Sequence, residues 1–326
     1  MTSENEKLVD LGDLDELVRQ VDRLCDVEDW AGLLDLRDRC RRALERGRQL
    51  WPVAVHAEYR LALEAPGRWA GGVLVPGAGR FALGPLSEVA ASTHTWEELA
   101  GHLQTTPEAA LAAHERVLRG EDLTADERVD RRVLELPLVV QPWEPAYPLA
   151  SYKAHEADFG GPPSVREWRA FDADPAQPVE DPEARRALLD LAGAWVTESN
   201  GRAEAVAVVG DAPGALAALG VRRGRTASVD AAHALAAMAW TGASGGGHGR
   251  RRGMATGRFA AWWALTAVAG LLDRWPVPPD ELGRAAARLR WYRFDSGEPD
   301  TGWSLRLAVE DPDRGRAWAV SAVDAA

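Results

Sequence analysis

The N-terminal part of the chain shows the hydrophobic spacing that is typical of helices. Apolar residues recur every three or four positions over 13–26 and 29–47, which predicts two helices joined as a hairpin. The same spacing predicts a third helix over 52–64. We therefore expect residues 1–145 to form an irregular helical layer.

Three further helix starts carry capping signals. Thr106 is followed by Pro107, which places a capping side chain directly before a proline at the first helical position. Thr95 and Thr124 are each followed three positions later by glutamate, which is the spacing of a capping box. These signals predict a helix directly after each of the three threonines.

Between 146 and 180 the pattern changes, because prolines and aromatic residues replace the helical spacing. Proline removes a backbone donor and fixes φ, so an extended segment is favoured over a helix. Aromatic residues such as Tyr152 and Trp168 give this segment enough apolar surface to pack along the protein. The sequence thus predicts three parts, a helical region over 1–145, a connecting segment over 146–180 and a third region over 181–326.

The third region mixes helices with strands. Helices are expected at 181–196, 212–219, 228–241, 254–273 and 280–288, and strands at 203–209, 289–295, 303–310 and 316–324. The stretch 259–272 is apolar on all sides but too short to span a bilayer, which predicts a buried central helix. Apolar and polar residues alternate in 303–310, the period of a half-buried strand. We infer that the last three strands form an antiparallel meander with turns at 297–302 and 311–315, one face of which is covered by the helix 254–273.

These elements predict an α+β fold that is predominantly helical, with an irregular helical N-terminal layer and a C-terminal helical region closed by a small antiparallel β-meander. The composition suits such a fold. Hydrophobic residues make up 46% of the 326 residues and charged residues 27%, as in globular proteins with a large core.

The charge of the chain is unevenly distributed. Of a net charge of −12, residues 1–160 carry −11, from 18 Lys and Arg against 29 Asp and Glu. An acidic protein repels nucleic acid and anionic membranes, so neither is expected as a partner without a local basic patch. Residues 222–258 are the candidate patch, with seven arginines against the single acid Asp230.

The first residues carry no secretion signal. The stretch MTSENEKLVDLGDLD lacks a basic n-region and an apolar h-region, which predicts a cytoplasmic, soluble protein. Cys25 and Cys40 lie on separate predicted helices and would be offset by about 12 Å, so free thiols are expected instead of a disulfide.

The strongest candidate site is the loop 242–253, which concentrates glycine and arginine between two apolar stretches. Its glycines let the backbone approach a ligand, and its arginines offer planar forks for phosphate or carboxylate. The residues concerned are Gly245, Gly246, Gly247, Arg250, Arg251 and Arg252. The loop is not a P-loop, because it lacks the phosphate-binding lysine and the magnesium-binding Ser/Thr of that motif and because it follows a helix. Two interpretations remain, a solvated hinge or a site for an anion, a nucleotide or a partner.

Ser244 and His248 in the same loop are a candidate catalytic pair, a hydroxyl nucleophile and a base four positions apart. A productive pair needs a rigid hydrogen bond and a third group that orients the imidazole, and the intervening glycines supply neither by themselves. Asp230 and His233 are an alternative pair for proton transfer, but His233 is more simply a histidine at the edge of the core.

No metal site and no cofactor are expected. His94, Glu98 and His102 have helical ligand spacing, but the capping box commits Glu98 to the backbone and leaves His94 before the helix. The remaining histidines of the N-terminal half, isolated in the sequence, are His56, His114 and His155.

The sequence favours a non-catalytic binding or assembly protein, because no pattern for acid/base, nucleophilic or metal chemistry stands out. The acidic helical region would offer a surface to a protein partner, and the loop 242–253 would take a small anionic ligand. The alternative is an enzyme that holds a phosphorylated or nucleotide substrate on this loop, with His248 as acid/base and Arg250–Arg252 as clamps. Oligomeric state is not predicted.

Overall fold

The structure is a computed structural model that describes residues 4–298 and 302–325. The chain forms two units. Unit 1 contains the residues up to Leu134 together with Ala150–Phe159, and unit 2 contains Glu135–Leu149 and the residues from Gly160 onward. The predicted boundaries at 145 and 180, which divide the chain into three regions, stay a prediction.

Unit 1 is built mainly from helices. They are α1 (Glu4–Leu11), α2 (Leu14–Asp26), α3 (Trp30–Glu45), α4 (Trp51–Glu64), α5 (Gly67–Ala70), α6 (Leu86–Thr93), α7 (Trp96–Ala100) and α8 (Pro107–Leu118), with a 3₁₀ turn at Gly71–Val73. Asp13 and Asp29 cap α2 and α3 by accepting hydrogen bonds from the amides of Glu16 and Gly32. The predicted hairpin and third helix are confirmed within one or two residues at each end.

The capping signals had different outcomes. The box at Thr95 is complete, because Thr95 and Glu98 each accept a hydrogen bond from the other's backbone amide, and Thr106 caps α8 as predicted. The helix predicted after Thr124 is wrong, because turns follow this residue. The amide and hydroxyl of Thr124 donate to Asp122 at 2.9 and 2.6 Å, so the local turn already satisfies these donors.

A two-stranded antiparallel hairpin, β1 (Ala150–Tyr152) and β2 (Ala157–Phe159), completes unit 1. The buried Tyr152 donates a hydrogen bond from its hydroxyl to Glu88 of α6 at 2.7 Å. Tyr59 of α4 donates to the carbonyl oxygen of Lys153 in the hairpin turn. The first bond joins the hairpin to α6, and the second holds its turn beside α4.

The thiols of Cys25 and Cys40 are both free and buried. Burial raises the pKa of each thiol to about 12, so both stay protonated at neutral pH. We expect no reaction of either cysteine with a disulfide reagent such as DTNB in native protein at pH 8, and reaction of both after unfolding in urea. One thiol per chain reacting rapidly under native conditions would contradict the burial described here.

Unit 2 contains a seven-stranded antiparallel sheet. Its strands are β3 (Arg169–Asp172), β4 (Gln177–Pro178), β5 (Arg202–Val209), β6 (Arg223–Val229), β7 (Arg290–Asp295), β8 (Gly302–Asp311) and β9 (Arg316–Ala325), in the order β3-β6-β7-β8-β9-β5-β4. The predicted meander of the last three strands is confirmed, but strands on both sides extend it into a larger sheet. The turn predicted at 297–302 includes residues 299–301, which lie outside the described residues.

The helices of unit 2 follow the predicted order, except that two helices replace the single one predicted over 181–196. They are α9 (Pro182–Asp190), α10 (Gly193–Glu198), α11 (Ala212–Ala218), α12 (Ala231–Ala243), α13 (Met254–Val268) and α14 (Pro279–Arg288), with a 3₁₀ turn at Leu272–Arg274. The helix predicted from 228 begins later, because Arg223–Val229 form β6 and Asp230 then caps α12. The helix predicted to 273 ends at Val268, shortly before Gly270 takes a φ of 68°.

Both faces of the sheet are covered, which the alternation in 303–310 did not predict. The face that carries Ala308 packs against α11. On the opposite face, the indole of Trp318 donates to Asp181, the N-cap of α9, at 3.0 Å. All residues over 305–310 are consequently buried, so a half-buried strand was the wrong prediction for this stretch.

The predicted position of the apolar helix α13 over the sheet is also wrong. Helix α12 contacts β7 and β8, whereas α13 packs mainly against α12 and α9. The two apolar helices approach closely, since a Cβ on Gly257 would lie 2.1 Å from the carbonyl oxygen of Ala239. Within residues 4–298 and 302–325, no helix combines the length and apolarity that crossing a membrane requires.

Candidate functional site

The loop 242–253 connects α12 to α13, and its first residues are buried. Ser244 is 2% exposed. Its hydroxyl accepts a hydrogen bond from the indole of Trp195 at 2.9 Å and donates one to the carbonyl oxygen of Thr241 at 3.1 Å. Gly245 and Gly246 are buried as well. A solvated hinge is therefore the wrong description of this part of the loop.

The predicted pair of Ser244 and His248 does not form a catalytic arrangement. The hydroxyl of Ser244 is engaged by Trp195, while His248 is exposed. The backbone amide of His248 donates to the hydroxyl of Ser199 at 3.0 Å. Each residue of the pair is thus held by a different neighbour, and no hydrogen bond joins Ser244 to His248 among the described residues.

A carboxylate of the same unit lies against the glycines of this loop. Asp324 on β9 is 1% exposed and accepts a hydrogen bond from the amide of Gly247 at 2.7 Å. Gly246, with φ of 75°, passes so close that a Cβ would lie 2.2 Å from Asp324 Oδ2. The glycines therefore serve a close contact with an internal anion.

The arginines of the loop also have neighbours in unit 2. Arg252 donates to Glu198 of α10 at 2.7 Å, and its backbone amide donates to the carbonyl oxygen of Ala243 at 2.7 Å. Arg250 and Arg251 likewise have interaction partners. An external anion at Arg250, Arg251 and Arg252 stays a prediction.

The candidate basic patch at 222–258 is largely paired with acids that lie elsewhere in the chain. Its ion pairs include Arg223–Asp172, Arg225–Asp295, Arg252–Glu198 and Arg258–Glu144. Arg258 is fully buried. Counting charges over a window of sequence therefore overestimates the positive charge of this segment.

The other candidate residues have structural partners. Asp230 accepts a hydrogen bond from the backbone amide of His233 at 2.7 Å, so its side chain caps α12. A proton-transfer pair of Asp230 and His233 stays a prediction. His94 places Nε2 2.7 Å from the carbonyl oxygen of Ala65. Glu98 is committed to its capping box, as predicted.

A second candidate site, in unit 1, was missed from the sequence. Asp22 on α2, His56 on α4 and His155 in the hairpin turn offer ligand atoms that all lie within 4.8 Å of one another. The Nε2 atom of His155 is 3.2 Å from Asp22 Oδ1, and the rings of the two histidines stack with centroids 5.2 Å apart. His56 and His155 are isolated in the sequence, but the fold brings them together.

These histidines form the polar side of a pocket of about 330 Å³ between α4, the segment around Phe81 and the hairpin turn. Other residues that line the pocket are apolar. Trp51 and Phe81 lie with ring centroids 4.9 Å apart and are 40% and 57% exposed, and Leu83 is 43% exposed. Exposed apolar groups of this size around a cavity are typical of ligand sites.

Electrostatics keep one imidazole of the pocket neutral. Burial, together with the nearby charge of Arg60, lowers the pKa of His56 to about 4. Arg60 pairs with Asp22 and also donates two hydrogen bonds to Glu64, at 2.8 and 3.0 Å. The pocket therefore contains a neutral imidazole, and Arg60 orients the carboxylate of Asp22 beside it.

Comparisons with known proteins provide a family and no activity. No curated protein and no solved structure matches the chain. A family model does match, over residues 15–326. The chain belongs to the family that this model describes as a family of unknown function (DUF6183).

Proposed function

We propose that the chain is a non-catalytic binding protein and that the pocket of unit 1 is its ligand site. The observation that carries the proposal is an exposed aromatic pair, Trp51 and Phe81, that lines the same cavity as two imidazoles. A cavity of about 330 Å³ is at the small end of the range for ligand pockets, which favours a compact molecule over a peptide.

The lining of the pocket indicates the chemistry of the ligand. Trp51, Phe81 and Leu83 offer faces on which a flat, apolar ring system can pack. The neutral imidazole of His56 and the exposed His155 can each donate or accept a hydrogen bond. We infer a planar heteroaromatic ligand with polar atoms along one edge.

The loop 242–253 supports the alternative, an enzyme that acts on a phosphorylated or nucleotide substrate, less well. The amide of Gly247 and the guanidinium of Arg252 already bind the carboxylates of Asp324 and Glu198. A phosphate at this loop would have to compete with these internal anions. The protein partner expected for the acidic surface of unit 1 remains a further proposal.

The test compares wild type with Phe81→Ala in calorimetric titration against a panel of planar heteroaromatic compounds. Phe81 is 57% exposed, so its loss leaves the fold intact but removes a wall of the pocket. Loss of that wall should weaken ligand binding by about 1.5–3 kcal/mol, which raises Kd by roughly 10- to 150-fold. Leu11→Ala is the matched control, because Leu11 is 78% exposed in unit 1 but does not line the pocket.

Equal affinities in wild type and Phe81→Ala would rule this pocket out as the site, and so would the absence of binding across the whole panel. A phosphorylated compound that stabilises the wild type but not Arg252→Ala would favour the enzyme alternative instead.

A further inference from the structure

We propose that Asp22, His56 and His155 bind a divalent transition-metal ion of the zinc type at the polar side of the pocket in unit 1. Two imidazoles and one carboxylate are a ligand set that such ions prefer, and the three side chains come from α2, α4 and the hairpin turn. This inference goes beyond the proposed function, because the metal site does not require the organic ligand.

The distances fit with small side-chain movements. Around a tetrahedral ion with bonds of roughly 2.0–2.1 Å, neighbouring ligand atoms lie about 3.4 Å apart. Asp22 and His155 already place ligand atoms 3.2 Å apart, and all three ligand atoms lie within 4.8 Å of one another. Since His155 is 58% exposed in the hairpin turn, its side chain has room to close the remaining gap.

A buried nitrogen in this cluster needs a partner. The Nε2 atom of His56 is buried and makes no hydrogen bond among the residues that the structure describes. A buried polar atom without a partner is unfavourable, so a ligand at this position relieves an existing penalty. A metal ion would serve as that partner.

Arg60 links the cluster to a second acid. Its guanidinium pairs with both Asp22 and Glu64. Arg60 is 5% exposed and held by both acids, so it orients Asp22 in the way that outer hydrogen bonds orient metal ligands. Three protein ligands leave a coordination position open, and this position is available to a donor atom in the pocket.

The experiment is calorimetric titration of the full chain, freed of metal with EDTA and desalted, with Zn²⁺. Co²⁺ serves as a second probe, because its visible absorption reports the coordination geometry. We expect one ion per chain for wild type. His155→Ala and Asp22→Asn should each weaken Zn²⁺ binding by at least tenfold, and His102→Ala, which removes an exposed histidine of unit 1 outside the cluster, should leave it unchanged.

Absence of Zn²⁺ binding by wild type would overturn the proposal, as would a wild-type affinity in both His155→Ala and Asp22→Asn. Phe81→Ala separates this inference from the proposed function, because it alters the apolar wall and keeps all three metal ligands. If the wild type binds Zn²⁺ but binds no compound of the heteroaromatic panel, the metal site is supported and the proposed function is not. Ligand binding without Zn²⁺ uptake would overturn the metal site alone.

Discussion

Replacing Arg258 with methionine should lower the free energy of unfolding by about 3–5 kcal/mol, because it removes one partner of a buried ion pair. Arg258 and Glu144 are both 0% exposed at their side chains, and two hydrogen bonds of 2.7 Å join them. The methionine would leave the carboxylate of Glu144 buried without a cation. Urea unfolding of wild type and variant measures the difference.

The surroundings of Glu144 explain why the loss should be large. Burial acts to raise the pKa of this carboxyl group, but the hydrogen bonds and charge of Arg258 outweigh it and hold the pKa below the ordinary 4.5. Trp262 and Tyr147 also donate to Glu144, at 2.9 and 2.6 Å. Since the pKa is lowered in the folded state, the pair stabilises the fold above pH 4.5 and loses this contribution as the pH falls below it.

Two variants distinguish charge burial from general damage to the helix. Arg186→Met removes an arginine that is 78% exposed and pairs with Asp190 one turn along α9, so a change below about 0.5 kcal/mol is expected. Adding Glu144→Gln to Arg258→Met should recover part of the lost stability, because it removes the unpaired charge. If Arg258→Met cost no more than Arg186→Met, the buried pair would contribute little and the argument from desolvation would fail.

Arg258 also shows what sequence can and cannot predict in this protein. Local signals worked well at Thr95 and Thr106, because a capping side chain and its partner amide lie within three residues. Arg258 was counted as part of the candidate basic patch, since its partner Glu144 lies 114 positions earlier in the chain. No spacing rule connects residues that far apart.

The same reason explains the missed pocket. Asp22, His56 and His155 lie on two helices and a hairpin turn, and none is near another in sequence. The loop 242–253 was conspicuous because its residues are contiguous, although the carboxylates that bind it, Asp324 and Glu198, are distant. Contiguous motifs are visible in a sequence, whereas a site assembled from several elements requires the fold.

The glycine at position 246 provides the second large effect. Gly246→Ala should destabilise the protein by about 2–5 kcal/mol, from the left-handed conformation and the overpacking combined. The φ of Gly246 is 75°, and a Cβ would lie 2.2 Å from Asp324 Oδ2 and 3.2 Å from Trp195 Cδ1. Thermal and urea unfolding of wild type and variant measure the loss.

Gly297→Ala is the matched control, because Gly297 has a similar φ of 81° and no atom within 4 Å of its Cβ position. It carries the conformational cost of about 1–2 kcal/mol without the clash. A clearly larger loss for Gly246→Ala would mean that the loop glycines are needed for the contact with Asp324, so they cannot be counted as evidence for an external anion. Equal losses would mean that this contact adjusts easily, and the glycines would then remain available to a phosphate, as the enzyme alternative requires.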